Sequence, residues 1–143
     1  NMGPLMSAQA QKRVLGFIES GKNEGAKLKF GGNIPTGLES GCFVEPTMFA
    51  DVNNDMTIGR EEIFGPVASI IPFDSEEEAV AMANDTIYGL CASVWTSNVS
   101  RAHNMAKDIE SGVSGGTTGK KTALPSLSAR SRKSRGLISP SIT

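Results

Sequence analysis

Between Val67 and Glu110 the chain alternates twice between an apolar run and an amphipathic helix pattern, and this alternation constrains the fold most tightly. Val67 to Phe73 reads as a largely buried strand, which Asp74 ends. Ser75 with Glu78 three residues later forms a capping box. Glu76 and Glu77 suit the positive end of a helix, predicted over about Glu76 to Asn84 with Ala79, Val80 and Ala83 inward. Leu90 to Trp95 is a second strand. Val99 to Glu110 is a second helix, with Ala102, Met105, Ala106 and Ile109 at helical spacing and Gly112 as its stop. Strand and helix in strict turn predict an α/β fold of right-handed βαβ units around a mainly parallel sheet. Such a fold needs one more strand after Gly112.

Upstream, Ser7 can cap a helix from about Ala8 to Glu24, with Val14, Phe17, Ile18 and Gly21 on one face and Gly25 just past its end. Ala26 to Phe30 is a strand candidate. Asn33 to Gly41 is rich in turn formers, and Cys42-Phe43-Val44 resumes an extended pattern that Pro46 confines to an edge or a strand end. Residues 51–66 read as irregular.

The awaited strand meets an abrupt change of composition. Residues 1–112 hold all 15 acidic side chains and all the aromatics, and carry a net charge of −7; residues 113–143 have no acid and a charge of +6. A Ser-, Lys- and Arg-rich stretch of this kind cannot offset the entropy of ordering, so a disordered tail is expected over 113–143 beside a folded 1–112. The length allows one domain or part of one. No apolar run approaches a membrane span and no signal peptide is present, which favours a cytoplasmic protein. Asn1 preceding Met2 suggests a piece of a longer chain. Cys42 and Cys91 provide neither metal spacing nor a disulfide framework, and reduced thiols are expected. The Asn84 and Asn98 sequons carry little meaning without secretion. Gly115 to Thr122 misses the phosphate-loop pattern, because Lys121 occupies the Ser/Thr position. The basic run Arg130 to Arg135 can meet phosphates, but without aromatics it does not specify a nucleic-acid partner.

The stretch with chemical promise is Arg60-Glu61-Glu62-Ile63-Phe64-Gly65-Pro66-Val67. The carboxylates there are open to two interpretations. They form a solvated charge pair before a strand, or one of them faces a cleft and accepts two hydrogen bonds from a ribose diol while an aromatic packs on a planar ring.

Gly41-Cys42-Phe43-Val44-Glu45-Pro46-Thr47, Glu61-Glu62-Ile63-Phe64-Gly65-Pro66-Val67 and Asn84-Asp85-Thr86-Ile87-Tyr88-Gly89-Leu90, in this order and spacing, resemble three signatures of the NAD(P)-dependent aldehyde dehydrogenases. The lead-in Gly3-Pro4-Leu5-Met6, the helix Lys12 to Ile18 and Gly25-Ala26-Lys27-Leu28 are similar too, so the resemblance covers residues 3–112 of a partial catalytic domain. It implies that Glu62 holds the nicotinamide-ribose hydroxyls of NAD or NADP and that Phe64 contacts the nicotinamide region, with Gly65-Pro66 setting the turn. Pro46, Thr47, Tyr88 and Gly89 inherit structural roles. The family's cysteine nucleophile attacks an aldehyde, hydride passes to NAD(P)+, and a glutamate base activates water to release the acid. Both residues precede the matching region, so the resemblance assigns this chain no catalytic residue and no metal ligand. Cys42, Cys91 and His103 are not substitutes. The parent enzyme is expected to be a homo-oligomer, and the segment alone inactive.

After Gly112 the family continues with a Val-Trp-Val/Ile-Asn strand, whereas Val113 to Gly119 differs. Codon degeneracy permits a similar Val-Trp-x-Asn in a shifted reading frame, although x cannot then be Val or Ile, so a frameshift after about Gly112 is one expectation, which the nucleotide sequence decides. The alternative is a non-enzymatic truncated paralogue whose basic tail binds acidic partners. A third possibility is a partial sheet too exposed at its edges to be stable.

Overall fold

The computed structural model describes residues 2–118 and 122–123. The chain divides into two compact units, one built on residues up to Pro72 and one beginning at Phe73.

The first unit opens with helix α1 (Ala8–Asn23), whose Ser7 hydroxyl accepts the Ala10 N–H as its cap. The helix closes in a Schellman motif: Gly25, at φ 94°, donates to Lys22 O and Ala26 donates to Gly21 O. Ala26 was expected to begin a strand. Its N–H is committed to the helix end, and strand β1 runs Lys27–Phe30.

Strand β2 (Thr47–Ala50) differs more from expectation. The extended segment Cys42–Val44 joins no ladder. Its carbonyls are instead taken by the Leu5 N–H on Cys42 and by the Gln11 side chain on Phe43, at 2.8 Å. Pro46, which lacks an N–H, stands just before the ladder. Pairing starts at Thr47, and β2 carries the most deeply buried large side chain, Phe49. Within the stretch read as irregular, helix α2 covers Thr57–Arg60, and strand β3 covers only Val67–Ser69. The sheet order is β1-β2-β3, antiparallel then parallel. Val14 and Ile18 of α1 pack with Phe49, Val52, Ile58, Ile63 and Val67 to form the core.

The second unit holds helix α3 (Glu76–Asn84), strand β4 (Cys91–Trp95) and helix α4 (Val99–Asp108). Ser75 caps α3 by accepting the Glu78 N–H. The return bond of the expected capping box goes one residue earlier, from Asp74 N–H to the Glu78 carboxylate at 2.7 Å. Asn84, the last residue of α3, accepts the Glu110 N–H and donates to Asp108 O, closing the end of α4. Arg101 of α4 forms an ion pair with Glu76 of α3. Val94 and Ile109 centre a small core with Val80, Ala83, Ala92 and Met105.

The expected loss of regular structure after Gly112 gives way to strand β5 (Val113–Thr118), which lies parallel to β4 from Cys91↔Val113 to Trp95↔Thr117. Main-chain hydrogen bonding fills the place that composition argued against. Strand β6 (Thr122–Ala123) pairs antiparallel with β5. β3 and β4 belong to different sheets, so of the expected βαβ units β4-α4-β5 forms and β3-α3-β4 does not. Each sheet combines one parallel and one antiparallel pair, with more of the paired residues in the parallel ladders. The basic run Arg130 to Arg135 lies outside the described residues.

Candidate functional site

The segment from α2 to β3 is threaded along α1 of the same unit. Ile58 and Ile63 are buried and anchor it. Ser69 donates its hydroxyl hydrogen bond to Ile58 O at 2.8 Å, and Glu61 N–H closes α2 onto Thr57 O. With Ile63 turned into the core, its neighbours Glu62 and Phe64 fall outside it. The structure therefore brings the two residues singled out in the sequence to flanking positions on one anchor.

The adjacent carboxylates are not equivalent. Glu61 and Arg60 both have interaction partners, whereas half-buried Glu62 takes no hydrogen bond or ion pair among the described residues. A partly desolvated carboxylate keeps its acceptor capacity for a ligand when no protein donor uses it.

Phe64 is 73% exposed and sits at φ 50°, the left-handed region that side chains rarely adopt. Such a conformation costs roughly 1–3 kcal/mol and persists only where the surroundings impose it. Buried Ile63 imposes it on one side. On the other is Gly65, where a Cβ would fall 2.6 Å from Val14 Cγ2. Pro66 O then accepts the Thr47 N–H at 2.8 Å and delivers the chain into β3. The guanidinium carbon of Arg13 lies 6.0 Å from the Phe64 ring centroid and 5.9 Å from that of Phe17, within cation–π range of both. Sequence reasoning placed Arg13 only within a helix. Its spacing of four residues from Phe17 was the available signal.

The motif residues taken as structural hold turns. The buried Thr47 hydroxyl donates to Glu45 O and accepts from Gly32 N–H, and Gly89 O accepts from Gly112 N–H. Cys42 and Cys91 are free, half-buried thiols in different units, and His103 is exposed. Among the described residues there is no His, Cys, Asp and Glu group able to hold a metal, and no helix long and apolar enough to cross a membrane.

Residues 1–126 match the model of the aldehyde dehydrogenase family. The match thus includes β5. Betaine aldehyde dehydrogenase of Brucella anthropi is 50% identical over 113 residues, which are 78% of this chain and 23% of that protein. The crystal structure of Mycobacterium tuberculosis aldehyde dehydrogenase complexed with NAD+ is similar at a TM-score of 0.79 and 51% identity, over 81% of this chain and 24% of that one. The NAD+ complex of Bacillus cereus aldehyde dehydrogenase gives a TM-score of 0.76 and 49% identity, over 82% and 23% of the two chains. This chain belongs to the aldehyde dehydrogenase family. It spans about a quarter of the length of these relatives.

Proposed function

We propose that residues 1–112 are a segment of the catalytic domain of an NAD(P)+-dependent aldehyde dehydrogenase, in which Glu62 holds the nicotinamide-ribose hydroxyls and Phe64 packs on the nicotinamide side. The observation that carries this assignment is the half-buried Glu62 carboxylate, without a hydrogen bond or ion pair among the described residues, beside the exposed Phe64 ring on left-handed backbone. Two acceptor oxygens match a vicinal diol, and an exposed aromatic face matches a planar ring. The solved relatives carrying NAD+ favour NAD+ as the cofactor.

When bound, the cofactor supplies the hydride acceptor. The residues of this chain bind and orient it: Glu62 fixes the ribose, Phe64 limits how far the ring can swing, and Arg13 steadies Phe64. Fixing the reacting atoms in this way supports the rate without contributing a proton or a nucleophile. The nucleophilic cysteine and the glutamate base belong to another part of the protein. The substrate is an aldehyde, as in the Brucella relative, and the whole enzyme is a cytoplasmic homo-oligomer.

Replacing Glu62 by Gln in the enzyme that carries this segment is expected to raise the NAD+ dissociation constant and slow hydride transfer. Unchanged cofactor binding and unchanged single-turnover rates would overturn the assignment. The pure 143-residue chain is expected to reduce no NAD(P)+, and measurable reduction would refute its dependence on the remaining parts.

A further inference from the structure

We propose that Glu24 is a positioning residue for Glu62, acting through the start of α2. The inference rests on the assignment of Glu62 to the cofactor.

Met56, at the N-cap of α2, makes no side-chain capping bond. The cap is supplied instead by Glu24, 33 residues earlier at the end of α1. One of its carboxylate oxygens accepts the Thr57 N–H at 2.6 Å and the other accepts the Thr57 hydroxyl. A short helix leaves its first N–H groups unpaired, and a carboxylate is the strongest acceptor a side chain can offer them. Glu24 is thus fixed by two bonds to one residue, which defines direction as well as distance.

This clamp lies at one end of a longer alignment. One turn back along α1, a Cβ on Gly21 would fall 2.7 Å from Ile58 Cδ1, so the Ile58 side chain of α2 packs directly on the α1 backbone there. At the far end, Val14 meets Gly65 and Arg13 meets Phe64. Glu24, just past α1, and residues 21, 14 and 13 within it therefore face residues 57, 58, 65 and 64, and the two segments run in opposite directions. Glu62 lies between the two sets of contacts and takes no hydrogen bond or ion pair among the described residues. Its location is set by the neighbouring Ile63 anchor together with the ends of the segment. At the upstream end, Glu24 holds the main chain through polar bonds and Gly21 only limits its approach.

The test uses the enzyme that carries this segment. It measures NAD+ binding by calorimetry, steady-state kinetics, and hydrogen exchange of the amides from Thr57 to Phe64. Glu24→Ala is expected to raise the NAD+ dissociation constant and KM about three- to tenfold, the scale of a lost helix cap. The aldehyde KM should stay within about twofold, a change no larger than a single lost surface contact gives. Exchange across residues 57–64 should accelerate. Thr57→Val should act in the same direction, and the double variant should be no worse than Glu24→Ala. Glu24→Gln, which retains one acceptor oxygen, should recover part of the loss. In a Glu62→Gln background, Glu24→Ala should add less than about a twofold change, because the two act through one interaction.

The inference is overturned if Glu24→Ala leaves NAD+ affinity unchanged, or if its effect persists in full in the Glu62→Gln background. Should Glu24→Ala fail to fold, Glu24→Gln and Thr57→Val make the same comparisons. A Glu62→Gln variant with unaltered NAD+ affinity removes the cofactor assignment itself. A Glu62→Gln effect without a Glu24 effect removes only the positioning role.

Discussion

Gly65 and Val14 approach so closely that a methyl group on the glycine would penetrate the Val14 side chain, with Cγ2 at 2.6 Å and Cγ1 at 3.0 Å. Val14 is fully buried in the core of the first unit and has no free direction in which to yield. Gly65→Ala is therefore expected to cost about 1–3 kcal/mol, the range for overpacking a filled core. Adding Val14→Ala to it should return part of that loss. Urea denaturation of the two single variants and the double variant measures the coupling, and strictly additive losses would contradict the contact.

The backbone at Phe64 supports a second prediction. A residue at φ 50° is relieved by glycine and not by alanine. Phe64→Gly should be more stable than Phe64→Ala by about 1 kcal/mol, the penalty of a Cβ in the left-handed region. Both variants lack the ring and should weaken NAD+ binding alike. Equal stabilities would show that the left-handed turn does not persist in solution.

Much of this fold was legible because its signals are local. Ser7 and Gly25 bound α1, Ser75 starts α3, and the stripe ending at Ile109 marks α4 within a residue or two of the observed ends. What escaped depends on partners distant in the chain. β2 is a four-residue strand behind a proline, and only its place between β1 and β3 makes Phe49 the centre of the core. The alternation after Val67 promised one sheet, but no local rule decides which strands share hydrogen bonds. At the site, the motif indicated Glu62 and Phe64. Neither the strain at Phe64 nor the bond from Glu24 to Thr57 could be read from neighbours in sequence.

Asn84 ties α3 to the end of α4 through both ends of its amide, accepting from Glu110 N–H at 2.8 Å and donating to Asp108 O at 3.0 Å. Asn84→Ala leaves both main-chain groups without this partner and should cost about 1–3 kcal/mol. Asn84→Asp keeps the acceptor and loses the donor, so its melting temperature should fall between those of the wild type and Asn84→Ala. A melting temperature for Asn84→Asp equal to that of the wild type would show that the bond to Asp108 O contributes nothing.

Lys27 and Asp51 pair at 2.7 Å, and their bond and mutual charge hold the Asp51 carboxyl below its usual range and the Lys27 ammonium above its own. A lowered aspartate stabilises the fold above its unfolded pKa, and the effect fades as pH falls through the folded value. A raised lysine stabilises below its unfolded pKa, and that effect fades as pH rises through the folded value. Lys27→Met should therefore lower the melting temperature slightly at neutral pH, with the deficit shrinking at acidic and strongly alkaline pH and in high salt. A deficit independent of pH would mean that the loss comes from packing and not from charge.

The parallel ladder between β4 and β5 seats Gly115 opposite Ser93 and Gly116 opposite Val94, although glycine is a poor strand former. A ladder of N–H and C=O groups recognises a main chain and is nearly indifferent to what that chain carries. This rim of the second unit is thus a permissive socket. The register of the docked strand is fixed by the number of residues between α4 and the first rung, Cys91↔Val113, more than by the side chains that follow.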